Sequence, residues 1–242
     1  MKKRTRIILS VCLAVLFAFG VGGYAYVSDY YHADETALEA MAYQTDSVQV
    51  ALDGSVTWFV PENPVAGLIF YPGGKVEYTA YAPLLRACAE NGILCALVRM
   101  PGNLAVLDAN AADGLQQEYP EVTTWCIAGH SLGGAMAAGY AAAHYEDYEG
   151  LILLAAYSTK DISQTSLRVL SVYGSEDGVM DRESYEKNRA NLPADTTEVV
   201  LDGGCHSQFG SYGPQDGDGI PTISGEEQVR QTAEAIVAFI GQ

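Results

Sequence analysis

Gly129-His130-Ser131-Leu132-Gly133 sets one serine between two glycines, a G-x-S-x-G pattern. Five such letters arise by chance, so their context decides. They follow Thr123–Ala128, an apolar run that reads as a strand, and open Leu132–His144, a run of small residues that reads as a helix. A strand that turns directly into a helix crowds the backbone at the turn, so residues two positions away must lack Cβ. The turn lifts the Ser131 hydroxyl clear of the sheet and aims the first amides of the helix at a developing oxyanion. A Gly-rich strand–helix turn with a capping serine would use the same letters.

A serine nucleophile needs a base, and the chain has four histidines. His32 precedes the alternating elements, His130 is too close to Ser131 to fold back onto its hydroxyl, and His144 ends the elbow helix. His206 remains, in the loop Asp202–Gly210 after the strand-like run Thr196–Leu201, at the sheet edge where open α/β sheets place ligands. A carboxylate between serine and histidine in chain order would orient the imidazole. Asp177, in Gly174–Gly178 after the run Val169–Tyr173, is the choice; Glu176, Asp181 and Asp161 are its rivals. The Pro72-Gly73-Gly74-Lys75 turn offers Gly74 and Lys75 as oxyanion donors beside Leu132.

Strand-like and helical runs alternate around these residues. Val48–Leu52 and Val56–Val60 flank Asp53-Gly54 as a hairpin. Gly67–Tyr71, Ile93–Arg99 and Leu151–Ala156 read as further strands, and Tyr78–Glu90, Leu104–Glu118, Arg182–Asn191 and Glu226–Ile240 as helices. Near-continuous apolar strands alternating with helices predict an α/β fold: a mostly parallel central sheet with helices on both faces. Only ten residues separate Ala156 from Leu167, too few for a cap domain, which predicts an open, shallow site.

The chain has 242 residues, enough for one well-packed domain. Four of its 13 Lys and Arg lie in the first six residues, and the other nine face 30 Asp and Glu. Such a body is repelled by phosphate backbones and anionic lipid headgroups, which excludes nucleic acid as a partner. Residues 1–6 are basic, and Ile7–Val27 carries no charge. As a helix this run would span roughly 31 Å, near the hydrocarbon thickness of a bilayer. The expectation is therefore a cytoplasmic basic end (1–6), a single-pass anchor or signal (7–27), a tether or short helix (28–46) and an extracytoplasmic catalytic domain (47–242), with secretion after signal cleavage as the alternative. Outside the anchor the cysteines are Cys88, Cys95, Cys126 and Cys205. Cys88 and Cys95 are near enough in sequence to be bridged, and Cys126 reads as a small buried hydrophobe. Asp216 and Asp218 hint at a cation loop but lack a full ligand set, so no metal is expected.

Elbow, strand order and the Ser…Asp…His sequence resemble the α/β-hydrolase family over roughly residues 48–240. More narrowly the chain resembles a compact bacterial subgroup allied to dienelactone hydrolases, in Tyr71-Pro-Gly-Gly-Lys-Val76, Arg99-Met-Pro101 and His206-Ser-Gln-Phe-Gly-Ser-Tyr-Gly213. The resemblance implies Ser131, Asp177 and His206 as a catalytic triad and Gly74, Lys75 and Leu132 as the oxyanion region. Dienelactone hydrolases themselves use a cysteine nucleophile, so their substrate is not implied. The expected activity is hydrolysis of small carboxylic esters through an acyl-enzyme, without metal or organic cofactor. A peptidase or amidase would use the same triad, and a membrane-anchored binding module on a dead hydrolase fold is the alternative outside catalysis.

Overall fold

The computed structural model describes residues 3–45 and 47–241. Met1, Lys2 and Asp46, which belong to the expected basic end and tether, lie outside the described residues. The chain divides into two units, one up to Tyr30 and one from Tyr31 onward.

The first unit is the helix α1, Lys3–Ser28. Among the described residues no helix is long and apolar enough to cross a membrane. The expected single-pass anchor, and the extracytoplasmic placement that depended on it, are corrected accordingly.

The second unit is an eight-stranded sheet with helices on both faces. Its strands are β1 (Val48–Asp53), β2 (Val56–Pro61), β3 (Ala66–Tyr71), β4 (Ile93–Val98), β5 (Trp125–His130), β6 (Gly150–Leu154), β7 (Arg168–Gly174) and β8 (Thr197–Leu201). Their order is β1-β2-β4-β3-β5-β6-β7-β8, with β2 antiparallel to both neighbours and every pair from β4 to β8 parallel. β3 to β6 are buried along their whole length, which is why their sequences are apolar without alternation. The outermost strands β1 and β8 keep exposed positions.

Alternate side chains feed two cores. Leu68 and Phe70 of β3, Cys95 and Leu97 of β4, and Ala128 of β5 face α3 (Ala82–Ala89) and α6 (Gly225–Ile240). Ile69, Tyr71, Leu94, Ala96 and Ile127 face the elbow helix α4 (Leu132–Ala143). Strand order reverses between β3 and β5, so a crevice opens beyond their carboxyl ends. Both chemistry-bearing turns, after Tyr71 and after His130, start there.

Two segments differ from expectation. Leu104–Glu118 forms 3₁₀ turns at Ala105–Leu107 and Leu115–Glu118 rather than a helix. Asp108, Asn110 and Asp113 are weak helix formers, and Gly114 sits at φ 79°. Tyr71 then fastens the segment: its hydroxyl accepts from the Ala112 amide (2.9 Å) and donates to the Ala109 carbonyl (3.0 Å). Residues 31–45 of the stretch expected as a tether belong to the second unit. Its helix α2 (Glu35–Ala42) lies on α3, and the Arg86 guanidinium donates to the Ala40 and Tyr43 carbonyls. The link from β6 to β7 contains no helix, consistent with the absence of a cap. Cys88, Cys95, Cys126 and Cys205 are buried free thiols.

Phe70 is fully buried on the central strand. Phe70→Ala should lower the unfolding free energy by about 3–5 kcal/mol, read as a shifted urea midpoint at unchanged slope.

Candidate active site

Ser131 occupies the single residue between β5 and α4, with φ 53° and ψ −123°. A non-glycine residue at positive φ is strained by about 1–3 kcal/mol, which the surroundings must hold in place. Two glycines permit this. A Cβ on Gly133 would lie 2.2 Å from the Tyr71 and Pro72 carbonyl oxygens, and one on Gly129 would lie 2.5 Å from the Gly133 backbone. The Ser131 amide donates to the Leu154 carbonyl at 2.9 Å, fixing the turn to β6.

His206 and Asp177 meet in the interior. Nδ1 of His206 lies 2.9 Å from Asp177 Oδ2, with side-chain exposures of 1% and 0%. Asp177 is itself oriented, since its Oδ1 accepts from the amides of Val179 (2.9 Å) and Met180 (2.8 Å). The carboxylate acceptor defines His206 as the Nδ1–H form, leaving Nε2 as the basic nitrogen. Nε2 is buried and makes no hydrogen bond, to Ser131 or to any other described residue. His130, the covalent neighbour of Ser131, places its ring centroid 4.5 Å from that of His206.

The rival acids are engaged in local turns. Glu176 accepts from the Ser175 hydroxyl, Asp181 caps α5 (Arg182–Asn188) through the Ser184 amide, and Asp161 accepts from Ser163. The other histidines are also placed elsewhere. His32 approaches Glu77 at 3.5 Å, and His144 stacks on Tyr140.

Of the oxyanion candidates, Gly74 and Leu132 share one corner: a Cβ on Gly74 would lie 2.8 Å from Leu132 Cδ2. Lys75 is corrected. Its amide donates to the Asn103 carbonyl at 2.8 Å and is not available to a substrate. That bond fixes the turn instead, with Lys75 at φ 58°.

A buried pair absent from the sequence-derived site lies behind these residues. Tyr81 Oη accepts from the Gly73 amide (3.0 Å) and lies 2.8 Å from His130 Nδ1. Burial pushes the Tyr81 phenol far up, so it stays protonated and donates to His130. Burial first, and the nearby His206 second, hold the His130 imidazole well below its ordinary range, against a smaller opposing effect of the His206 backbone. His130 is therefore neutral, with its proton on Nε2. No local sequence signal marks a tyrosine 49 residues away as its partner. Among the described residues, no cluster of His, Cys, Asp or Glu is arranged to hold a metal ion.

A family model described as "Alpha/beta hydrolase family" matches residues 67–230. Several solved structures share the fold. A predicted CIB-like hydrolase from Thermoplasma acidophilum is 15% identical, with a TM-score of 0.58 over 79% of this chain and 99% of its own. TT1662 from Thermus thermophilus is 14% identical, with a TM-score of 0.59 over 81% and 99%. A dienelactone hydrolase from Anabaena variabilis is 14% identical, with a TM-score of 0.60 over 81% and 98%. No curated protein matches the chain.

The neutral His130 gives a pH dependence with a definite sign. The unfolded chain protonates this residue below about pH 6.5 while the folded protein resists it, so stability falls as pH drops through that value. His130→Gln should flatten this part of the stability–pH curve, measured by urea unfolding between pH 5 and pH 8 as about a one-unit-per-step series.

Proposed function

On the premise that the chain belongs to the alpha/beta hydrolase family, we propose that it is a serine hydrolase of small carboxylic esters, working through Ser131, His206 and Asp177. The observation that carries this reading is the buried Asp177–His206 hydrogen bond at the same sheet edge as a strained serine elbow. Two carboxyl-end loops 29 residues apart in sequence converge there, and they leave Nε2 of His206 without a hydrogen-bond partner.

In the reaction His206 Nε2 takes the Ser131 proton as the hydroxyl oxygen attacks the ester carbonyl carbon. The imidazolium is stabilised by Asp177, which keeps its own charge. The tetrahedral oxyanion is bound by the amides of Leu132 and Gly74, at the start of α4. Collapse expels the alcohol, which takes the proton from His206 and leaves an acyl-Ser131 ester. Water then attacks that ester with His206 as base, and the acid leaves. The reaction uses no metal or organic cofactor. With no cap over the elbow, the site suits a short acyl group or an ester displayed on a larger body.

The absence of a Ser131–His206 hydrogen bond fits a contact that tightens only around a substrate.

Wild-type protein should be labelled by a fluorophosphonate probe and should hydrolyse p-nitrophenyl acetate. Ser131→Ala and His206→Ala should abolish labelling and cost at least about 10³-fold in kcat/KM. Equal labelling of wild type and Ser131→Ala would sink the reading. A matched p-nitroanilide tests the amidase alternative and should be turned over far more slowly than the ester.

A further inference from the structure

The Gly217-Asp218-Gly219 turn lies outside the triad, yet its carboxylate touches the backbone on both sides of it. Asp218 Oδ1 accepts from the amides of Gly178 (3.2 Å), His206 (3.1 Å) and Gly219 (2.9 Å), and Oδ2 accepts from Ser207 (2.8 Å). Gly178 directly follows Asp177, so one side chain ties the acid turn to the base loop. The contact is as close as backbone allows. A Cβ on Gly178 would lie 2.6 Å from the Gly217 carbonyl oxygen, and one on Gly219 would lie 1.8 Å from that of Glu176. A further tie runs from the Glu176 amide to the Gly204 carbonyl at 2.8 Å.

We propose that Asp218 is a positioning residue that holds the Asp177 turn and the His206 loop in register, so that their hydrogen bond is preset before substrate arrives. This rests on the reading of Ser131, His206 and Asp177 as the catalytic groups. An ionised carboxylate accepts on both oxygens with no proton set against an N–H donor, and hydrogen bonds to a charged acceptor are about twice as strong as neutral ones. Burial works against that charge, but the Ser207, His206 and Gly178 amides prevail and keep the carboxyl below its usual range. An asparagine of the same shape cannot substitute, because its NH₂ would face an N–H donor. The anion is neutralised by amide dipoles of its own chain.

The test uses the full chain and compares Asp218→Asn with Asp216→Asn, which removes the same charge from the same loop. On p-nitrophenyl acetate, Asp218→Asn should lose about 10- to 100-fold in kcat with KM little changed, as expected for misplaced catalytic groups. In an Asp177→Asn background the same substitution should cost less than about threefold, because both act through one hydrogen bond. Proton NMR supplies a readout independent of turnover. The His206 Nδ1–H, identified as the far-downfield resonance lost in Asp177→Asn, should shift or broaden in Asp218→Asn and stay in place in Asp216→Asn and Ser131→Ala.

A chain inert toward the ester would count against the proposed function, while the resonance would still decide the role of Asp218. Rates and resonance in Asp218→Asn matching those of Asp216→Asn overturn the proposal. Should Asp218→Asn fail to fold by circular dichroism, Gly178→Ala prises the two turns apart with the charge intact. It should move kcat and the resonance in the same direction, and an unmoved resonance there also overturns the proposal.

Discussion

The elbow depends on the close approach of the first turn of α4 to the end of β3. Gly133 touches the Tyr71 and Pro72 carbonyls with no room for a Cβ, and Gly129 touches Gly133 in turn. That approach forces the reversal from β5 to α4 into one residue, Ser131, at a φ that a side chain resists. It also brings Gly74 against Leu132, so the strain that exposes the hydroxyl and the corner that would bind an oxyanion have one cause. The strain is tolerable because β5 is buried between paired neighbours and α4 packs its alanines on the sheet.

The other half of the site is held differently. The Asp177 and His206 loops leave adjacent parallel strands, β7 and β8, but strand pairing ends at Gly174 and Leu201. Beyond those residues the loops have no ladder to fix them. Glycines at 174, 178, 204 and 219 let their backbones touch, and the Asp218 carboxylate gathers the amides left over. The Tyr81–His130 pair does similar work on the opposite side. It joins the turn after β3 to His130, the residue before Ser131, and it places a neutral ring against His206.

These supports explain why the site can be nearly buried without being sealed. Asp177 and His206 are dry, which strengthens their hydrogen bond, while Ser131 remains partly exposed at the mouth of the crevice. The short β6–β7 link leaves that mouth uncovered.

Much was legible in order along the chain. The apolar strands, their alternation with helices and the hairpin at Asp53-Gly54 follow from local burial and turn chemistry, and so does the elbow, because its two glycines and its serine are contiguous. His206 and Asp177 could be picked out because each follows a recognisable strand. Leu104–Glu118 could not: its apolar residues suggested a helix, and a tyrosine hydroxyl more than thirty residues upstream helped decide otherwise. The apolar amino-terminal run suggested a membrane span, yet among the described residues no helix is long and apolar enough to cross a membrane. Only the tertiary structure showed that the Lys75 amide is occupied, that Tyr81 reaches His130, and that Asp218 binds amides rather than a cation. Each depends on a partner distant in sequence, and periodicity or spacing along one strand of text carries no information about which backbone amide a folded loop will present to it.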